Sequence, residues 1–283
     1  MLENTLKIAT CQFAVCGSVE HNSQSIQNLM RQAVDGGAEI VHFCECALTG
    51  YAGIDFDSFD AFDWDLLKTE TEKIITLAAE LKVWVVLGSA HRLTEPNKPH
   101  NSLYLIGPDG TIRDRYDKRF CMDREMPFYT PGDHFVVFEV RGVKCALLIC
   151  FDLRFPELYR QLKKLGVQCV LQSFYNARQK GPSIHSDIMI PSMQCRAATN
   201  FFWVSMANSC GWLSPYPGCF IRPDGRIVEK LDDHKNGVIV NTVNLAEDLY
   251  DPSAEFRDMA IDGALDNATD GLDDERSRDR VCY

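Results

Sequence analysis

Apolar runs and amphipathic stretches alternate along this chain. Leu6–Val15 (LKIATCQFAV) opens as a strand, and Ser23–Val34 then places Ile26, Leu29, Met30 and Ala33 at helical spacing, ended by Gly36 and Gly37. The strand Glu39–Phe43 (EIVHF) follows. A second helix is predicted from Ile74, Leu77, Ala78 and Leu81, then the strand Val83–Ser89 (VWVVLGS). The same order returns further on. Val143–Cys150 (VKCALLIC) is a buried-looking strand, Pro156–Leu165 a helix stopped by Gly166, Val167–Ser173 a strand, Asp187–Asn200 a helical segment and Phe201–Ala207 a strand. Strand and helix in alternation predict an α/β protein. Two further segments, Ser102–Tyr116 and Cys219–Leu231, each set Pro-Asp-Gly between strands, which makes Gly110 and Gly225 hairpin turn residues and suggests internal symmetry.

Composition narrows the class. With 46% hydrophobic and 24% charged residues, the 283-residue chain has ample material for a core. No Pro-, Gly- or Ser-rich linker interrupts it, so one domain is expected over 1–261, with the polar stretch 262–283 as a C-terminal arm or tail. A net charge of −11 without a basic patch argues against nucleic acid as a partner. No apolar run approaches the roughly 18 residues of a membrane span, and the first residues lack the charged-then-apolar pattern of a secretory leader. A cytoplasmic protein is therefore expected, and its 12 cysteines are then packing residues, catalysts or ligands rather than disulfide partners. There is no C-x-x-C pair. Cys44 and Cys46 are expected to share one strand face without chelating spacing, so no metal is expected.

Position singles out Cys150. It closes an apolar strand and precedes a helix with Pro156 at its first turn, which describes a strand-to-helix elbow at the carboxyl edge of a sheet. A helix N-terminus aimed at the sulfur would favour thiolate. Two charged residues share this kind of placement. Glu45 follows the strand IVHF, and Lys118 lies just beyond the first hairpin; taken singly, each also reads as an ordinary surface charge. Together a thiol, a carboxylate and an ammonium make a hydrolase, with the Phe151 N–H as a second oxyanion donor.

The ordered strings ECALTGY, YDKRF and CFDLRFPELYR resemble the nitrilase superfamily of carbon–nitrogen hydrolases, over roughly Lys7 to Val243. The resemblance implies a four-layer α-β-β-α sandwich, Glu45 as general base, Lys118 as oxyanion-stabilising lysine and Cys150 as nucleophile. It further implies Glu125, in REMPFYTPGD ahead of Gly132, as a second glutamate that positions substrate or steadies Lys118. Tyr51 and Phe151 are its candidates for the substrate wall, and Arg154 for a substrate carboxylate. No cofactor is implied, and a homodimer or higher homo-oligomer is. The partner is a small amide or N-carbamoyl compound, since Phe151-Asp152 stands where nitrile hydrolases of the family typically carry Trp-Glu.

Departures from the family pattern fall at His185-Ser186, at Arg196-Ala197-Ala198-Thr199-Asn200 and at QSFYN, which lacks the usual proline. The acidic, aromatic run Gly53–Asp65 reads as a solvated loop or an entrance rim. Two rivals remain on sequence grounds. A Cys-His hydrolase would recruit His185 or His42, and a catalytically silent relative would keep the fold alone.

Overall fold

In the computed structural model, which describes residues 4–176, 183–267 and 273–281, the elements follow in chain order. They are β1 (Thr5–Gln12), α1 (Val19–Asp35), β2 (Ile40–His42), α2 (Trp64–Leu81), β3 (Trp84–His91), β4 (His100–Ile106), β5 (Ile112–Asp117), β6 (Val137–Val140), β7 (Val143–Ile149), α3 (Pro156–Lys164) and β8 (Cys169–Ser173). There follow α4 (Ile184–Asn200), β9 (Trp203–Ala207), β10 (Cys219–Ile221), β11 (Ile227–Lys230), β12 (Gly237–Asn244), α5 (Ala254–Ile261) and α6 (Glu275–Arg278). The strands form two six-stranded sheets, ordered β12-β1-β2-β3-β4-β5 and β11-β10-β9-β8-β7-β6. Each has three parallel strands at its centre, β1-β2-β3 in one and β7-β8-β9 in the other, with antiparallel hairpin strands beside them. The repeat expected from the two Pro-Asp-Gly hairpins is this doubled plan, and Gly110 and Gly225 take φ of 72° and 84° as their turns require.

Period-two alternation sorts the first sheet between two layers. Leu6, Ile8, Ile40 and Val86 join the core shared with the second sheet, whereas Ala9, Cys11, Val41, Val85 and Leu87 pack with Ile26, Met30 and Ala33 of α1 and Ile74 and Ala78 of α2. On the second sheet Leu158, Tyr159 and Leu162 of α3 and Met189, Met193 and Ala197 of α4 complete the outer layer. The result is the four-layer α-β-β-α sandwich. Strand β7 is apolar and buried almost throughout, as a central parallel strand covered on both faces must be.

Local chemistry moves two helix boundaries from the sequence expectation. Helix α1 starts at Val19 because the Ser18 side chain accepts from the His21 N–H as N-cap, and α4 starts at Ile184 behind a Ser183 cap and runs through Pro191. The chain divides into two compact units at Leu249/Tyr250, with α5 in the second. Within that unit Arg257 pairs with Asp251, and Arg278 with Asp273 at 2.6 Å. Of the expected arm, 268–272 and 282–283 lie outside the described residues.

The two sheets are joined by a polar bridge. His42 of β2 bonds Ser205 through Nδ1 and Ser173 through Nε2, both at 2.8 Å, and Ser205 also meets Thr10 at 2.7 Å. Burial pushes His42 down to about 3, so the folded protein keeps it neutral. The unfolded chain binds the proton from near pH 6.5, so this site costs the fold stability as pH falls through 6.5 toward 3. From pH 6.5 to 4.5 the loss is about 2 kcal/mol. Urea unfolding across that window is expected to show it in the parent and a flatter profile in His42→Gln; parallel profiles would refute the assignment.

Candidate active site

Glu45 and Lys118 each follow the end of a strand, whereas Glu125 lies in the turns between β5 and β6. Glu45 sits in the turn after β2, with its N–H bonded to the Phe174 carbonyl just past β8 at 3.2 Å, so a loop of one sheet is tied to the edge of the other. That turn packs directly on β3. A Cβ on Gly88 would lie 2.0 Å from the Cys44 carbonyl oxygen, so only glycine admits the approach. Cys44 and Cys46 lie in this turn rather than on a strand, and Cys46 has φ 52°, so the expected common strand face is not formed. Lys118 follows β5. Its N–H bonds Asn101 O at 2.8 Å, its carbonyl takes the Gly132 N–H at 2.9 Å, and a Cβ on Gly132 would sit 2.4 Å from Asp117 O.

The side chains converge. Lys118 Nζ donates to Glu45 Oε1 at 2.8 Å and to Glu125 Oε1 at 2.6 Å, with all three residues buried. Asn101 Nδ2 donates to the same Glu45 Oε1 at 2.7 Å. The other oxygen, Glu45 Oε2, is buried and has no hydrogen-bond partner among the described residues. Glu125 is fixed by the Met122 N–H on Oε2 at 2.6 Å and by the Tyr51 hydroxyl on Oε1. Tyr51, expected at the substrate, therefore stands behind Glu125. Burial alone would push Lys118 down, but the charge and hydrogen bond of Glu45 outweigh it and hold the ammonium above its usual value.

Cys150 directly follows β7 at φ 40°, a backbone region that residues with a side chain seldom adopt. A 3-10 turn, Cys150–Arg154, separates it from α3. The helix that follows the nucleophile candidate thus begins only after this turn, at Pro156. Burial pushes the Cys150 thiol up, the Glu45 charge adds to this, and Lys118 pulls the other way without prevailing. The resting group is a thiol that needs a base. Asp152 locks the turn: its Oδ2 accepts from the Ile149 N–H at 3.0 Å and the Tyr116 hydroxyl at 2.8 Å, and its Oδ1 from the Phe120 N–H at 3.1 Å. Burial pushes Asp152 up to about 6.

The remaining candidates separate. Arg154 is exposed and, among the described residues, pairs with neither Asp152 nor Glu157. Phe151 is half-buried and meets Phe155 edge-on at 5.4 Å. His42 is committed to two serines, and His185 is half-buried with Nδ1 unpartnered among the described residues; neither bonds Cys150 there. Among the described residues no group of three or more His, Cys, Asp or Glu is placed to hold a metal, and no helix is long and apolar enough to cross a membrane. Sequence reading passed over Asn101, Asn176 and Tyr216. The available signal for Asn101 is its place among three polar residues, His100, Asn101 and Ser102, that open a strand ending in LYLI.

Residues 7–247 match the family model for carbon–nitrogen hydrolases. The chain belongs to the carbon–nitrogen hydrolase family. Among curated relatives of this family member, the omega-amidase NIT2 of Xenopus tropicalis is 27% identical over 71% of this chain and 74% of its own length. A deaminated glutathione amidase of Dictyostelium discoideum is 27% identical over 87% of this chain and 90% of its own. An (R)-stereoselective amidase of Pseudomonas reaches 30% over 62% and 61%. The crystal structure of an amidase from Nesterenkonia superposes with a TM-score of 0.74 at 20% identity, covering 86% of this chain and 92% of that one. A second structure of a Nesterenkonia amidase, described as of the nitrilase superfamily, gives the same values, so the sandwich is the fold of that superfamily.

Proposed function

We propose that this family member hydrolyses the carboxamide of a small linear amide through a thioester on Cys150. The observation that carries the reading is the Glu45 carboxylate, with Oε1 taken by Lys118 and Asn101 and Oε2 buried and open. An open carboxylate oxygen whose charge is felt at a neutral thiol is suited to accept that thiol's proton. Cys150 Sγ attacks the carbonyl carbon as its proton passes to Glu45. The carbonyl π pair moves onto oxygen, where the third hydrogen of Lys118 Nζ and the Phe151 N–H hold it. Collapse breaks the C–N bond, and ammonia leaves with the proton from Glu45. Water then gives a proton to Glu45 and attacks the thioester, and the expelled sulfur recovers that proton as the acid departs. Glu45, Lys118 and Cys150 end as they began.

On the substrate we favour an ω-amido acid. Arg154 is exposed beyond the nucleophile and free of Asp152 and Glu157, and a planar guanidinium suits a carboxylate at the far end of the substrate. Burial, then the charges of Arg154 and Arg124, push His185 below its usual value. The relatives named for omega-amidase activity agree in substrate class.

The test is ammonia release over neutral aliphatic amides, ω-amido acids, N-carbamoyl amino acids and nitriles. Preference for ω-amido acids is expected, and Arg154→Ala is expected to raise their KM at least tenfold while leaving neutral amides unchanged. Equal turnover of all amides, or an Arg154→Ala effect shared by neutral ones, would remove Arg154 from recognition. Ammonia release without an acyl adduct on the Cys150 peptide after acid quench would sink the thioester.

A further inference from the structure

The sulfur of Cys150 is met by the segment that follows β8. Asn176 Nδ2 donates to Cys150 Sγ at 3.6 Å and to the Tyr216 hydroxyl at 2.6 Å, so both hydrogens of the carboxamide nitrogen are engaged. The backbone of Asn176 is fixed as well, its N–H donating to Asn208 Oδ1 at 3.1 Å. Asn208 is buried and in turn donates to the Tyr216 carbonyl at 2.8 Å and Ser214 Oγ at 3.2 Å. One buried asparagine thus fixes both the backbone of Asn176 and the residue that orients its side chain. The neighbouring Tyr175 is held as well, its hydroxyl donating to Asp55 at 2.7 and 2.8 Å.

We propose that Asn176 is a catalytic residue whose side-chain amide stabilises the Cys150 thiolate when the thiol is deprotonated for attack and again when the thioester expels it. This deepens the thioester reading and rests on it. Donors on a sulfur favour its charged form, and hydrogen bonds to a charged group are stronger than those to a neutral one. The contact is therefore weak in the resting thiol and tightens when charge develops. That is differential stabilisation of the kind that raises kcat rather than lowering KM. Tyr216 supplies the orientation: with its hydroxyl accepting one N–H, the nitrogen end of the carboxamide is the end turned to sulfur.

The experiment is iodoacetamide alkylation of the whole protein across pH, read on the Cys150 peptide by mass spectrometry, in the parent, Asn176→Ala, Asn176→Asp and Tyr216→Phe, with kcat and KM measured in parallel. In Asn176→Ala the Cys150 rate at pH 7 is expected to fall about tenfold, its pH midpoint to rise by about one unit, and kcat to fall about tenfold with KM little changed. Asn176→Asp, which keeps the shape but sets a carboxylate against the sulfur, is expected to be worse than Ala in all three readouts. Tyr216→Phe is expected to fall between parent and Ala. An Asp variant with the parent's alkylation profile and kcat would overturn the proposal, since an acceptor there would then serve as well as a donor; so would a loss in KM alone. If parent activity survives complete alkylation of Cys150, the thioester reading fails instead, and the two failures are thereby told apart.

Discussion

Ammonia release is expected to fall about a thousandfold or more in Glu45→Gln, a loss approaching that of Cys150→Ala. The reason lies in the state of the thiol. Burial, reinforced by the Glu45 charge, pushes Cys150 up, so the enzyme holds almost no thiolate at neutral pH and each attack needs a base to take the proton. General base assistance is typically worth about 10²–10⁴-fold. Here the same oxygen must also protonate the leaving ammonia and activate water, so its loss touches both halves of the cycle. Gln preserves the side-chain shape, and its carbonyl can still accept from Asn101 and Lys118, so the fold is expected to survive; Lys118 keeps Glu125 as a counter-charge. The measurement is kcat/KM for Glu45→Gln, Glu45→Ala and Cys150→Ala beside thermal unfolding. A Glu45→Gln enzyme within tenfold of the parent would return the Cys-His class, with His185 as the residue to replace next.

Why Glu45, Lys118 and Cys150 were legible, and Asn176 was not, follows from where their signals reside. Each of the three lies in a contiguous string whose neighbours constrain it: an apolar strand before Glu45 and Cys150, a hairpin before Lys118. Local pattern therefore marked strand ends, and strand ends at a sheet edge are where side chains meet. Burial is a different matter. Lys is ordinarily a solvated charge, and nothing in YDKRF announces a fully buried ammonium between two carboxylates; that is a property of the closed fold. Asn101 and Asn176 come from β4 and the segment after β8, and only tertiary packing sets them beside Glu45 and Cys150.

The local setting of Cys150 is less legible for a related reason. The helix was visible in the sequence, but the 3-10 turn that Asp152 ties to Ile149 and Phe120 was not, and that turn keeps α3 away from the sulfur. Asp152 thereby trades a helix-dipole effect on the thiol for a fixed elbow. With the elbow fixed, Cys150 is held at the end of β7, while the Glu45 N–H to Phe174 bond ties the Glu45 turn to the end of the neighbouring β8.

Lys118→Met is expected to be the most destabilising single exchange in the site, and its partial repair is the sharper test. The ammonium is fully buried and bonded to two carboxylates at 2.8 and 2.6 Å. Removing it leaves Glu45 and Glu125 facing one another without a counter-charge, and breaking a buried ion pair on one side costs about 3–5 kcal/mol. Activity is expected to vanish as well, because the oxyanion loses its cationic donor. Stability and activity then part company in the double variant. In Lys118→Met/Glu45→Gln one of the two stranded charges is gone, so urea unfolding is expected to recover at least about 1 kcal/mol over Lys118→Met, a coupling that independent sites would not give. Turnover is expected to remain absent, since base and oxyanion donor are then both missing. Were the two exchanges additive in unfolding free energy, the buried Glu45–Lys118–Glu125 arrangement would not be an electrostatic unit, and Lys118 would owe its place to packing of its aliphatic stem beside the Tyr51 ring, whose centroid lies 6.0 Å from Nζ.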